Sequence, residues 1–197
     1  QMCIRDRPDT DHPLKRLVAL ATEDFASWLL QQPVHGVTLQ TSELLTNPDP
    51  LDADLLLRAT LLDGRTTLLH IEFQGPGSRR PMRLRMLDYM SRLRQGNRDI
   101  LIHSVVIYLA NAGANDTGIH HINGIDGTPR LMWRYDVIHL WKLKAEELLA
   151  LQKPGLLALI GQTQIQKPAE IIPAAIHMLG QSTQGEQRER LLSELLL

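Results

Sequence analysis

The strongest constraint in this chain is a turn. Asp63-Gly64 separates two runs, Ala53 to Leu62 and Arg65 to Gln74, whose apolar residues recur at alternate positions. That is the signature of a β-hairpin. Strand side chains alternate between faces, so Leu55, Leu57, Ala59, Leu61, Leu69, Ile71 and Phe73 form one set. Asp54, Leu56, Arg58, Thr60, Thr66, Leu68, His70, Glu72 and Gln74 form the other. The first set is apolar and the second mostly polar. A two-residue loop would pair Leu62 with Arg65 and mix the sets. A three-residue loop, Leu62-Asp63-Gly64, closes on Leu61 and Arg65 and keeps each set on its own face. Gly64 then takes the left-handed position that such a loop requires.

In this register Asp54 faces Glu72, with Gln74 two residues further along the same face. Directly opposed residues approach within roughly 5 Å at Cβ, and like charges so placed destabilise a sheet. A positive partner is therefore expected. Mg²⁺ suits the pair, because it takes one or two carboxylates and completes its shell with water and phosphate oxygens. The alternative is a pair of solvated acids at a strand end.

The rest of the chain supplies the setting. From Asp11 to Gln31, Leu14, Leu17, Val18, Ala21, Phe25, Trp28 and Leu29 recur at helical spacing. Pro33 to Pro50 reads as an irregular connection with a short strand at Val37 to Leu39. A helix follows from about Pro81 to Gln95, and Ile100 to Ala110 reads as a buried strand. Gly113 to Thr128 is a loop or hairpin, Arg130 to Lys142 one or two strands, and the remainder from about Ala145 is helical. The order predicts an α/β fold with a mixed sheet and a helical C-terminal segment.

Composition narrows the function. With 43% hydrophobic residues in 197, the chain can bury a real core. Its net charge of -1 confines any affinity for nucleic acid to a local patch, and 4% aromatic content argues against stacking platforms for single strands. One cysteine, Cys3, excludes an internal disulfide and a cysteine-based zinc site. The longest apolar run is too short to span a bilayer, no secretory signal is visible, and a cytoplasmic location is expected. Residues 1–10 read as a non-native or disordered leader, since Gln1 to Arg7 resembles translated sequencing-adapter read-through.

The local patch is easy to find. Arg79, Arg80, Arg83, Arg85, Arg92, Arg94 and Arg98 fall between Gly75 and Arg98 against the single acid Asp88. Met82, Met86, Leu87, Met90 and Leu93 supply a buried stripe, and Arg85, Tyr89 and Arg92 share another face. A helix of this kind beside a metal site is placed to hold phosphates. A solvated helix face is the competing reading.

Taken in order, Ala-Asp54-Leu-Leu-Leu-Arg, the Asp-Gly turn, Leu-Leu-His-Ile-Glu72-Phe-Gln74 and Met82-Arg-Leu-Arg85-Met-Leu-Asp-Tyr89 resemble the Rpn family. These are recombination-promoting nucleases and transposase-like proteins of the PD-(D/E)XK superfamily. Asp11-His-Pro-Leu-Lys15 looks like the family's first helix, and Arg134 to Leu157 like its later strand-and-helix segment, so the resemblance covers about 11–160. It implies a restriction-endonuclease-like fold with a nuclease core over 11–145, and a helical segment over 146–197 that reads as truncated. It also implies Mg²⁺-dependent, or other divalent-cation-dependent, cleavage of DNA. Asp54, Glu72 and the carbonyl of Phe73 would hold metal, Gln74 would stand where the superfamily usually has lysine, Arg85 and Tyr89 would match helix positions, and Asp11 would be the N-terminal acid. Glutamine brings no positive charge, which leaves the metal more of the stabilisation. Two alternatives follow. One is a catalytically weak DNA-binding module. The other is a protein-interaction scaffold, a homodimer through the Leu-rich stretch Glu186 to Leu197. His120-His121 is read as surface loop, and His70 as either a site neighbour or an edge histidine.

Overall fold

The structure is a computed structural model, and it describes residues 11–40, 43–44, 51–52, 54–76, 81–182 and 191. In chain order the elements are α1 Asp11–Leu20, α2 Thr22–Leu29, β1 Val34–Leu39, β2 Glu43–Leu44, β3 Leu51–Asp52, β4 Leu55–Leu61 and β5 Thr66–Gln74. Then come α3 Met82–Gly96, β6 Leu101–Tyr108, β7 Ile119–Asn123, β8 Pro129–Arg134, β9 Asp136–His139, α4 Ala145–Ala150, α5 Pro154–Leu157 and α6 Pro168–Ser182. Short 3₁₀ turns sit at Leu140–Lys142 and Ile160–Gln162.

The β4–β5 hairpin has the register that its alternation requires. Leu55 pairs with Ile71 and Thr60 with Thr66. The amide of Leu61 donates to the Arg65 carbonyl at 2.8 Å, and Gly64 has φ +83°. The three-residue loop and its left-handed glycine are therefore present. Around this hairpin the main sheet runs β1-β4-β5-β6-β9. The pairs β1–β4 and β4–β5 are antiparallel, whereas β5–β6 and β6–β9 are parallel. The result is an α/β fold, a mixed five-stranded sheet flanked by helices. Two small antiparallel ladders, β2–β3 and β7–β8, stand apart from it.

Each face of the sheet has its own core. Odd-numbered residues of β4 and β5, with Val105 and Ile107 of β6, pack against Leu17 and Val18 of α1, Phe25 and Leu29 of α2, and the C-terminal helices. On the other face, Met82, Met86 and Tyr89 of α3 lie over Val106 and Tyr108, joined by Trp133 and Tyr135 from the β8 side. Leu93 closes that layer over Leu56 and Leu68. The second set of hairpin residues is thus not a wet face. Parallel strands need a crossover, here α3, and the crossover covers them. His70 and Glu72 are fully buried.

Several expectations are corrected. The single helix expected over 11–31 is two, broken at Ala21, whose φ of -135° leaves the helical region. The break fits the close approach of α5: a Cβ on Gly155 would lie 2.1 Å from the Ala21 Cβ, and the Gly155 amide donates to Asp24 Oδ2 at 2.8 Å. The buried stripe of α3 is Met82, Met86, Tyr89 and Leu93, while Leu87 and Met90 are only partly covered. Of the loop and hairpin readings of 113–128, the hairpin holds for its second part, with Asp126-Gly127 in the turn. Of Glu186 to Leu197 only Leu191 is described, and its side chain is buried in the core. No helix among the described residues is long and apolar enough to cross a membrane.

Candidate functional site

Asp54 sits in the bend where the chain enters β4, and Glu72 lies near the C-terminal end of β5. Each acid is bonded to the other's segment. The Asp54 amide donates to Glu72 Oε1 at 2.9 Å, and the Phe73 amide donates to Asp54 Oδ2 at 2.8 Å. A backbone N–H therefore fixes one oxygen of each carboxylate. In a strand, the N–H and C=O of one residue point to the same edge. The Phe73 carbonyl is accordingly directed to the edge on which Asp54 lies.

The remaining oxygens carry cations. Lys15 Nζ of α1 lies 2.8 Å from Asp54 Oδ1. Arg85 of α3 donates to Glu72 Oε2 at 2.7 Å through one nitrogen and to Gln74 Oε1 at 3.0 Å through another. Gln74 completes its own bonding by donating to the Gly75 carbonyl at 2.6 Å. The positive partners that the hairpin register calls for are two side chains, Lys15 and Arg85. Two carboxylates alternate with two cations, which removes the Coulomb cost of opposing them.

Beneath Glu72 the network continues inward. His70 Nε2 lies 3.2 Å from Glu72 Oε1 and His70 Nδ1 lies 3.4 Å from Ser104 Oγ. Both ring nitrogens are thus engaged, one with Glu72 and the other with Ser104. The ring also meets Tyr89 edge-on at 5.0 Å. Burial pushes the Tyr89 phenol up to about 12, and the Glu72 charge adds to the rise. Burial works against the charge of Arg85, but Glu72, Tyr89 and Asp54 together outweigh it and hold the guanidinium above its ordinary range. Both groups keep fixed protonation states across the physiological range.

The other named residues are dispersed. Tyr89 is buried in the core, 5.9 Å from ring centroid to the Arg85 guanidinium carbon. Arg92 binds Asp88 Oδ1 at 3.0 Å one turn away. Arg83 is exposed, and its carbonyl accepts from Trp133 Nε1 at 3.0 Å. Arg85, Tyr89 and Arg92 do share a side of α3, but it is the side turned towards the sheet. Arg79 and Arg80 lie outside the described residues, as does the Asp11 side chain.

A second polar cluster adjoins the first and was missed in the sequence. Asp116 accepts from the hydroxyls of Tyr108 and Tyr135, from the Gly118 amide at 2.9 Å, and lies 3.1 Å from His120 Nε2. His120 also meets Tyr135 Oη at 2.9 Å and lies against the rings of Trp133 and Tyr135. Burial alone would raise the Asp116 carboxyl, yet the bonds from Tyr108, Gly118 and Tyr135 hold it below the usual carboxylate range. Burial pushes both tyrosines up, and their bonds to Asp116 push them further. Gln74 and Tyr108 are ladder partners, which makes the two clusters contiguous. His120 is therefore no loop residue. The available signals were the Asp-His spacing of four and a tyrosine beyond the Asp126-Gly127 turn.

As a donor set for Mg²⁺, two carboxylates and a main-chain carbonyl are all hard oxygens, which fits the ion's chemistry. Lys15 and Arg85 show that these oxygens accept positive charge where the fold sets them. Among the described residues no group of three or more His, Cys, Asp or Glu side chains converges as a metal site, so water and substrate oxygens would complete the shell. No family model, curated protein or solved structure matches the chain.

Proposed function

We propose that the chain is a metal-dependent phosphodiesterase of the PD-(D/E)XK class, and within that class a DNA endonuclease of the Rpn type. The observation that carries this reading is the reciprocal locking of Asp54 and Glu72 at the β4–β5 end, with the Phe73 carbonyl turned to the same edge. Asp54, Glu72 and Phe73 would hold a divalent ion. Bound there, the ion supplies Lewis-acid polarisation of a phosphate oxygen and a water acidified towards neutral pH.

The chain's own residues do the rest. The amides of Asp54 and Phe73 orient the two carboxylates, and His70 fixes the buried oxygen of Glu72. Arg85 joins Glu72 to Gln74 and so sets the angle of both side chains. Gln74 can orient a water or a phosphate by hydrogen bonding. Exposed Arg83, together with Arg79 and Arg80, would meet the DNA backbone, while Arg85 and Arg92 are engaged by carboxylates.

A second reading, a DNA-binding module with weak catalysis, is favoured by one feature. Gln74 replaces a cation, and both ends of its amide are already bonded. Nicking of supercoiled plasmid by the purified protein separates the two. The endonuclease reading expects relaxed and linear products with Mg²⁺ and none with chelator. Salt-sensitive plasmid binding without metal-dependent nicking would favour the binding module.

A further inference from the structure

The oxygens of the two acids divide into two kinds. Asp54 Oδ2 and Glu72 Oε1 are held by backbone amides, and Glu72 Oε1 also lies against the buried His70 ring. Among the described residues, the partners of Asp54 Oδ1 and Glu72 Oε2 are side-chain cations. These two oxygens are the ones left for any other positive charge. Their present occupants differ in how firmly they are kept. Arg85 is four-fifths buried at its side chain and lies by the Tyr89 ring. Lys15 is one-third exposed at its side chain and reaches Asp54 along a flexible stem.

We propose that Lys15 is a displaceable placeholder. Its ammonium occupies the Asp54 oxygen that a divalent cation takes, and it competes with that cation for the site. The inference rests on the metal-dependent reading above. Placement by α1 makes it specific to this chain's architecture. Leu14, Leu17 and Val18 bind the helix to the sheet core and hold the lysine over the β4 entry whether or not it is bonded. Without the metal, the ammonium relieves the negative charge of Asp54. When the metal arrives, it must leave that oxygen.

The proposal fixes the sign of an effect. A lysine that merely braces Asp54 would, once removed, loosen the carboxylate and weaken metal binding. A competitor, once removed, strengthens it. The experiment titrates Mn²⁺ alone into the full chain by calorimetry, comparing wild type with Lys15→Met, Lys15→Arg and Asp54→Asn. Lys15→Met should bind up to about fivefold more tightly, the order expected when a partly exposed ion pair no longer has to break. Lys15→Arg, which keeps the competing charge, should stay near wild type, and Asp54→Asn should lose the site.

Unchanged or weaker binding by Lys15→Met, with Asp54→Asn still abolishing the heat, would overturn the placeholder and leave the metal reading intact. An absence of Mn²⁺ binding in wild type and Lys15→Met alike would overturn both. Lys15→Gln serves as a second neutral variant should the methionine protein misfold, and the same increase is required of it.

Discussion

At the scale of single residues, the site is a set of mutually dependent charges. Glu72 has no contact with solvent and serves three donors: Arg85, His70 and the Asp54 amide. From an unoccupied repelling pair one would expect Glu72→Ala to be harmless or mildly stabilising. The observed partners reverse that expectation. The substitution takes the carboxylate partner from Arg85 and His70, leaving Arg85 bonded to Gln74, and opens a gap beside the strand. Breaking a buried ion pair typically costs 3–5 kcal/mol, and the partial exposure of Arg85 reduces this to about 2 kcal/mol. Urea denaturation should show a lower midpoint at unchanged slope. A midpoint equal to wild type would mean that the pairing contributes nothing. The Asp54–Glu72 neighbourhood itself was legible in the sequence, because side-chain parity and a three-residue turn admit one register. Its counter-ions were not. Lys15 lies far away in the chain, and nothing in a local pattern says which helix will cross the β4 entry.

At the scale of elements, α3 shows why polarity is a poor guide to orientation. Tyr89 counts as polar in a periodicity analysis, yet its ring belongs to the buried stripe with Met82, Met86 and Leu93. Arg85, one turn before it, is accordingly drawn inwards to Glu72, while Arg92 pairs with Asp88 of the same helix. The β7–β8 hairpin shows the same limit from the other direction. Its histidine and tryptophan pair, His120 with Trp133, looks like loop decoration until Asp116 gathers Tyr108, Tyr135 and His120 about one carboxylate. Asp116 titrates below its ordinary value of 3.8 in the fold. A group with a depressed folded value stabilises above the unfolded value and loses that contribution as pH falls through the folded one. The hairpin should accordingly hold at neutral pH and loosen as pH falls below about 4. Tryptophan fluorescence, to which Trp133 contributes, reports the change. Asp116→Asn should flatten the transition in that acid window. An acid transition unaltered in the variant would remove Asp116 as its cause.

At the scale of the whole molecule, the fold has one purpose that the elements do not show singly. Two antiparallel strands deliver Asp54 and Glu72 to one edge. The parallel crossover lays α3 over the same residues, and α1 brings Lys15 to that edge from the other helical layer. The order of strands and helices was readable from turns and apolar runs, and so was the α/β class. The separation of α1 from α2 was not, because it fits the approach of α5 at Gly155, a contact across most of the chain. The central claim is that this assembled edge cleaves phosphodiesters through its two carboxylates. It is tested most directly by the Mg²⁺-dependent plasmid nicking rate of wild type beside Asp54→Asn and Glu72→Gln, each shown to be folded. Loss of a metal contribution worth several kcal/mol predicts a fall of at least about a hundredfold in both variants. Equal nicking by all three proteins would contradict it.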